Sequence, residues 1–396
     1  MKYPFSPDIL DALPETMAEH FRTLELDLIK RICEQLKTGQ PNQVSVQSLQ
    51  GLKSHGISLR EIRKVMKQFS GLTDKQITAL FNDVVKRNQK YQASLLDIAK
   101  VTKPDKMLSL ADFAVIEKQT RQTMQNIAQS MAFIVNNGQM LPAANAYQWV
   151  IDQAIIEVQS GTTSYNQAIK RAVKQLADSG LRFADYDSGH IDHADVAARR
   201  AVMTGIAQIN ARFNEQSIEY LDTDLVEVSA HNGARNVGEG YENHESWQGK
   251  VYRWSAKTNP NNPQSTGDYP DFVEVCGYGF GGGIEGWNCR HSFYPFVEGV
   301  SERTYTDADL QKLTAKQFTY QGKQYDTYKA TQKQREIERT IRKLTRQNQA
   351  FSSAGIQDAA DATNAKIRAL KAEYKAFSQA ADLPMQAERM RVLKGF

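Results

Sequence analysis

Up to about residue 222, apolar side chains in this chain recur three or four positions apart; beyond it they alternate every second position. A spacing near 3.6 lines one face of a helix, and a spacing of two lines one face of a strand. The switch therefore predicts a long helical region followed by a smaller strand-bearing one. In the helical part, Met17, Phe21, Leu24, Leu28 and Ile32 form one stripe, and Gly39 is placed to end that helix. Two capping boxes, Ser58-x-x-Glu61 and Thr73-x-x-Gln76, predict two short helices separated by Gly71-Leu72. They carry Ile62, Val65, Met66 and Phe69, then Ile77, Leu80, Phe81, Val84 and Val85. A longer helix is expected from about Ser109 to Ile134, and another from Ala143 to Val158, stopping at Ser160-Gly161. Ser164 opens a helix bearing Ile169, Val173 and Leu176 that Gly180 closes. Asp192 reads as the N-cap of the next, whose stripe is Val202, Ile206, Ile209 and Phe213. Such stripes are core faces rather than cofactor boxes.

Three segments alternate as half-buried strands: Leu225–Ser229, Val251–Trp254 and Phe272–Cys276. Between them lie turn-rich pieces at Asn232-Gly233, Gly238–Gly240, the Asn-Pro run at 259–263, and Gly277–Gly286. Helical spacing returns near Thr331. Ile337, Ile341 and Leu344 form one stripe, Ile367, Leu370, Tyr374 and Phe377 a second, and Phe351–Gly355 the turn of a helical hairpin. The expected class is α+β: a mostly helical N-terminal two-thirds, a small loop-rich β-containing domain and a helical C-terminal segment. The corresponding divisions are 1–160, 161–224, 225–300 and 301–396.

A chain of 396 residues with 41% hydrophobic and 24% charged residues has material for two or three domains. These values exclude collagen-like, disulfide-rich and wholly disordered classes. No apolar run reaches the roughly 18 residues of a membrane span. The start, Met1 to Asp8, is polar and proline-broken, unlike a signal peptide. The protein is therefore expected to stay in the cytoplasm where it is made, unless a larger particle carries it out. Cys33, Cys276 and Cys289 cannot all pair, and Cys276 reads as a small buried hydrophobe. The formal charge of +4 does not itself indicate nucleic acid. A local excess does occur around the stripe at 337–344: Lys333, Arg335, Arg339, Arg342, Lys343 and Arg346 stand against Glu336 and Glu338. Arg339, Arg342, Lys343 and Arg346 are the candidate DNA contacts, with a solvated helix face as the other reading.

Candidate chemistry concentrates between residues 231 and 291. His231, His244, Cys289 and His291 are potential metal ligands, and zinc favours such nitrogen and sulfur donors in tetrahedral array. A metal clip would also organise a domain with few core residues per loop. Their spacing is looser than a C-x-x-C or H-x-x-x-H knuckle, so a second reading stays open: histidines bonded to loop backbone beside a buried Cys289. An enzymatic reading would pair Cys289 or Ser229 with His231 or His244 as base, oriented by Glu245. No G-x-S-x-G elbow supports it. The Gly277–Gly283 run lacks the Lys-Ser/Thr of a phosphate-binding loop.

Several ordered blocks carry a resemblance. They are Ser164-Tyr165 with Ala168, Leu176–Gly180, Asp185–Gly189, and Val196–Val202. The strongest are Ser229-Ala230-His231 with Gly233-Ala234-Arg235, then His244-x-x-Trp247-Gln248-Gly249-Lys250-Val251-Tyr252, then Gly286-Trp287-Asn288-Cys289-Arg290-His291. Together they resemble the phage minor capsid protein 2 family, related to the head-morphogenesis domain of phage Mu type. Arg235, His244, Gly249 and Asn288-Cys289-Arg290 match the Mu-type pattern, whereas His291 stands where a second cysteine is usual. Histidine and cysteine are interchangeable chiefly as metal ligands, so this departure favours zinc. The resemblance implies a virion component, without enzymatic activity, that associates with the portal and other capsid proteins and touches packaged DNA. Gly233, Arg235, Trp247, Gly249, Lys250, Trp287, Asn288 and Arg290 would build the module's architecture. Some relatives carry fused toxin or ADP-ribosyltransferase-like domains; the C-terminal region here reads as a charged helical segment, so no such domain is expected in it. A metal- or cysteine-dependent hydrolase or transferase, acting in head maturation or after ejection, is the alternative.

Overall fold

A computed structural model of the chain describes residues 3–34, 59–104, 106–135, 138–160, 163–184, 189–254, 268–314 and 317–392. Gly39, Ser58, the Asn-Pro run at 259–263 and most of the Asp185–Gly189 block lie outside the described residues. The chain is mainly helical with small antiparallel sheets, as the spacing predicts. It divides into two compact units, each gathered from three stretches. The first comprises 1–16, 74–122 and 199–333; the second comprises 17–73, 123–198 and 334–396.

The second unit contains most of helix α2 (Glu15–Glu34), helices α5 (Ala146–Gln159) and α6 (Tyr165–Ser179), and most of the long pair α11 (Thr327–Ser353) and α12 (Gln357–Ala380). Helix α6 shows how local sequence sets an element. The Ser164 hydroxyl accepts the Gln167 N–H, and Gly180 ends the helix at φ 61°. Between them Ala168, Ile169, Ala172, Val173, Leu176 and Ala177 form the buried stripe. Strands β1 (Ala132–Val135), β2 (Gln139–Pro142), β3 (Arg182–Ala184) and β4 (Ile191–His193) form an antiparallel sheet in the order β2-β1-β3-β4.

An ion pair is buried at the end of α6. Glu25 and Arg346 are both below a tenth exposed, and Arg346 Nη1 donates to Glu25 Oε2 at 3.2 Å. Arg346 Nε also donates to the Ala177 carbonyl, and Glu25 Oε1 accepts the Leu181 N–H. A Cβ at Gly180 would lie 2.9 Å from the guanidinium carbon, so only glycine lets the chain turn here at positive φ.

The first unit holds the strand-bearing region. Strand β5 (Leu225–Val228) is central, flanked antiparallel by β6 (Val251–Arg253) and β7 (Phe293–Phe296). Val226 and Val228 face one way, into a cluster with Trp247, Tyr252, Trp254, Phe272, Cys276, Ile284, Cys289 and Phe293. Leu225 faces the other way, with Val251 and Phe296. Glu227, on that second face, is almost fully buried, and its carboxylate accepts the Tyr3 hydroxyl and both the N–H and hydroxyl of Thr304. Tyr3 stacks on Tyr294 at 3.8 Å between ring centroids. Helix α7 (Ala194–Leu221) runs into β5, contributing Ala211 and Ile218 to the valine-face core.

Several local expectations are corrected. Phe272–Cys276 is a one-turn helix, α9, not a strand: the Asp271 carboxylate caps Glu274 N–H, and Gly277 closes it in the left-handed region. The Ser58 and Thr73 helices are one continuous helix, α3 (Leu59–Ala99). The Thr73 hydroxyl donates to the Phe69 carbonyl one turn back instead of capping. The helix expected over Ser109–Ile134 does open at Ser109, which caps a 3-10 turn at Leu110–Phe113 leading into α4 (Ala114–Gln129), but it ends at Gln129 and Ile134 belongs to β1. Asp192 sits in β4 opposite Phe183 rather than capping α7. The segment 301–396 also holds the hairpin β8 (Gln317–Tyr320) and β9 (Lys323–Asp326), turned by Gln321-Gly322 at positive φ.

Arg346→Ala would leave the Glu25 carboxylate buried without its partner. Urea unfolding should show a loss of about 3–5 kcal/mol, as for other broken buried pairs. A loss below about 1 kcal/mol, the range of surface pairs, would show that this one is not structural.

Candidate functional site

The chemistry-bearing side chains of the first unit converge from three segments. The chain leaving β5 supplies His231. A one-turn helix, α8 (His244–Trp247), supplies His244 and Trp247, and the loop entering β7 supplies Cys289 and His291. Ser229 N–H donates to the Ser292 carbonyl, and Ser292 N–H donates to the Ser229 Oγ, extending the β5–β7 pairing by one step. This brings His231 and His291 face to face, with ring centroids 4.4 Å apart. Trp247, fully buried, packs on His244 at 4.6 Å and on His291 at 4.8 Å, and its indole N–H donates to the Tyr241 carbonyl. Exposure is 9% for His231, 3% for His244, 9% for Cys289 and 2% for His291, so the group is an interior cluster.

The hydrogen bonds fix all three imidazole tautomers. His244 Nε2 lies 2.9 Å from the Gly282 carbonyl, which can only accept, so Nε2 carries the proton. His231 Nδ1 donates likewise to the Asn232 carbonyl. Gln248 Oε1 accepts the His231 backbone N–H at 3.0 Å, which orients that amide, and His291 Nε2 donates to the same oxygen at 3.1 Å. His244 Nδ1 and His291 Nδ1 therefore carry lone pairs. They lie 3.8 and 3.6 Å from Cys289 Sγ. One ligand atom from each of His244, Cys289 and His291 falls within 4.8 Å of the others. His231 stands outside that trio, stacked on it.

Burial sets the charge states. It lowers His231 to about 3 and His244 to about 4, and it holds His291 well below the usual histidine value. It pushes the Cys289 thiol up to about 12. Without a bound cation, the cluster is three neutral imidazoles and a neutral thiol. Burial of the thiol opposes the thiolate form that nucleophilic attack needs. Both His244 nitrogens are occupied by Gly282 and Cys289, so Glu245 does not orient the ring. Ser229 Oγ is buried, accepting the Ser292 N–H.

The other motif residues surround the cluster. Gly249 has φ 68°, and a Cβ there would run into the Leu310 side chain and sit 3.1 Å from Ala230 Cβ. Gly233 turns against Thr331. Arg235 reaches the Gly282 and Trp287 carbonyls at 3.5 and 3.4 Å, and Lys250 donates to the Ser246 carbonyl. Arg290 pairs with Asp11 at 3.8 Å. Asn288 takes a left-handed turn at φ 56°, which asparagine tolerates. Trp287 is 68% exposed. Among the candidate DNA contacts in the second unit, Arg342 lies 3.9 Å from the Asp195 carboxylate and Arg346 is buried on Glu25. Those two serve the interior of their unit, so the four do not form one free cationic face. Arg339 and Lys343 are exposed. Two contributors escape sequence reasoning: Gln248, whose amide fixes His291, and Glu285, which accepts the Ser292 hydroxyl beside the cluster. Gln248 stands inside the motif block, but nothing in its sequence position marks that role.

Gln248→Ala would leave the His231 N–H and the His291 Nε2–H without their acceptor. The expected cost, measured by chemical unfolding, is about 1–3 kcal/mol. An unchanged midpoint would mean that water replaces the amide and that Gln248 does not organise the cluster.

The family model described as phage minor capsid protein 2 matches residues 5–379. A protein of Lactococcus phage LL-H named "Structural protein" is 24% identical over 356 residues, which cover 88% of this chain and 89% of that one. No solved structure matches the chain. With the match running through both units and through every segment that builds the His-Cys cluster, the chain belongs to the phage minor capsid protein 2 family.

Proposed function

We propose that this protein is a structural component of the phage head. In this reading it is made in the host cytoplasm, joins the portal and neighbouring capsid proteins during assembly, and remains in the virion. The observation that carries the reading is the family match over nearly the whole chain. The relative in Lactococcus phage LL-H, named a structural protein and similar along almost all of both chains, points the same way. The motif side chains support it physically. Apart from the exposed Trp287 and Asn288 and from Arg290, which pairs with Asp11, those with polar groups bond to one another or to loop backbone inside the first unit, as architecture requires. A cysteine-dependent activity has less support, because burial keeps Cys289 protonated and away from solvent. No helix among the described residues is long and apolar enough to cross a membrane.

Proteomics of gradient-purified virions tests the reading. The protein is expected in full heads at low copy relative to the major capsid protein, and its absence there overturns the proposal. Co-expressed with the portal protein of the same phage, it should co-purify; separation of the two at moderate salt would remove the portal association.

Contact with packaged DNA is the finer part of the proposal, and it rests on Arg339 and Lys343. Replacing both by glutamine should weaken retention on DNA uniformly across sequences and lower the salt slope by about one per lost phosphate contact. Unchanged retention would exclude this helix as the DNA surface.

A further inference from the structure

We propose that His244 Nδ1, His291 Nδ1 and Cys289 Sγ bind a zinc ion that ties the α8 turn to the loop entering β7. The proposal does not depend on the virion reading.

Geometry carries it. Zinc bonds of about 2.3 Å to sulfur and about 2.0 Å to nitrogen, at tetrahedral angles, set sulfur and nitrogen ligands about 3.5 Å apart. The two sulfur–nitrogen separations here are 3.8 and 3.6 Å, and all three donor atoms lie within 4.8 Å of one another. Each histidine also donates its far N–H to an oxygen, Gly282 O for His244 and Gln248 Oε1 for His291. That is the outer support of a metal-bound imidazole: it fixes the tautomer and aims the remaining lone pair.

Hydrogen-bond arithmetic points the same way. A thiol has one proton, and two imidazole lone pairs converge on Cys289. The thiol can satisfy one, which leaves a buried acceptor without a donor and costs free energy. A cation satisfies both. On binding, the S–H bond breaks, a zinc–sulfur bond forms and the proton leaves to solvent, with no change of oxidation state. The fourth position falls to water: a void with room for roughly one water molecule borders Cys289, His291 and Glu285. His231 is not a ligand. Its Nδ1 donates to Asn232, and its ring buttresses His291 by stacking.

The test uses the full-length protein, free of any histidine tag, from zinc-supplemented cells. Elemental analysis should find about one zinc per chain. His244→Ala, Cys289→Ser and His291→Ala should each lose it, while His231→Ala, folded by circular dichroism, should keep it. Because a ligand variant could fail to fold, the wild type provides a second readout. Exchange of the metal for cobalt(II) should produce a thiolate-to-cobalt charge-transfer band in the near ultraviolet. Wild-type protein that neither contains zinc nor takes up added zinc overturns the proposal. So does a cobalt form without the thiolate band, a different metal in place of zinc, or loss of metal from folded His231→Ala.

Discussion

The His-Cys cluster of the strand-bearing unit depends on acceptors for the imidazole and indole N–H groups that it buries. The loops between β5 and β7 supply both apolar bulk, from Trp254, Phe272 and Ile284, and a buried polar group. Trp247 and Cys289 belong to the apolar cluster, and the three buried imidazoles pack beside it. An interior of that kind is stable only if each donor meets an acceptor, since an unmade buried hydrogen bond costs more than a made one contributes. The carbonyls of Asn232, Tyr241 and Gly282 and the amide of Gln248 meet that demand. A change at Gln248 therefore reaches both His231 and His291 directly, through the two hydrogen bonds its Oε1 accepts.

The second unit meets the same constraint with charge. Arg346 and Glu25 are held in the interior by each other, by the Ala177 carbonyl and by the Leu181 N–H. Arg342 joins Arg22 around Asp195. Two of the four candidate DNA contacts on α11, Arg342 and Arg346, are thus directed inward, and the cationic surface is correspondingly smaller. Net charge in a sequence window does not distinguish these outcomes, because an arginine that neutralises a buried carboxylate counts the same as one facing solvent.

Much of the fold is legible in the residues. The stripe Met17 to Ile32 is buried throughout, Ser164 and Gly180 delimit α6, and the hairpin of α11 and α12 turns at Gly355. The departures share a cause. In Phe272–Cys276 the alternation satisfied a strand template, but five residues flanked by an Asp cap and a glycine close a single helical turn more readily than they find a ladder partner. Apolar periodicity ran past Gln129 into Phe133 and Ile134, where the Asn-Gly that follows is a hairpin signal. Gln321-Gly322 is a similar signal within a segment read as helical. Short elements are decided by their ends.

Periodicity and donor chemistry are local properties, so the mainly helical α+β class, the strand-bearing region and the residue types of the His-Cys group follow from the residues alone. Folding is what brings three of the four candidate ligands to one focus while His231 stacks beside them. It also decided which imidazole nitrogens hold protons, and that Arg346 faces Glu25 rather than solvent. Those outcomes depend on distances between residues tens to hundreds of positions apart, and on which carbonyl stands opposite each ring. Spacing along the chain carries no record of either.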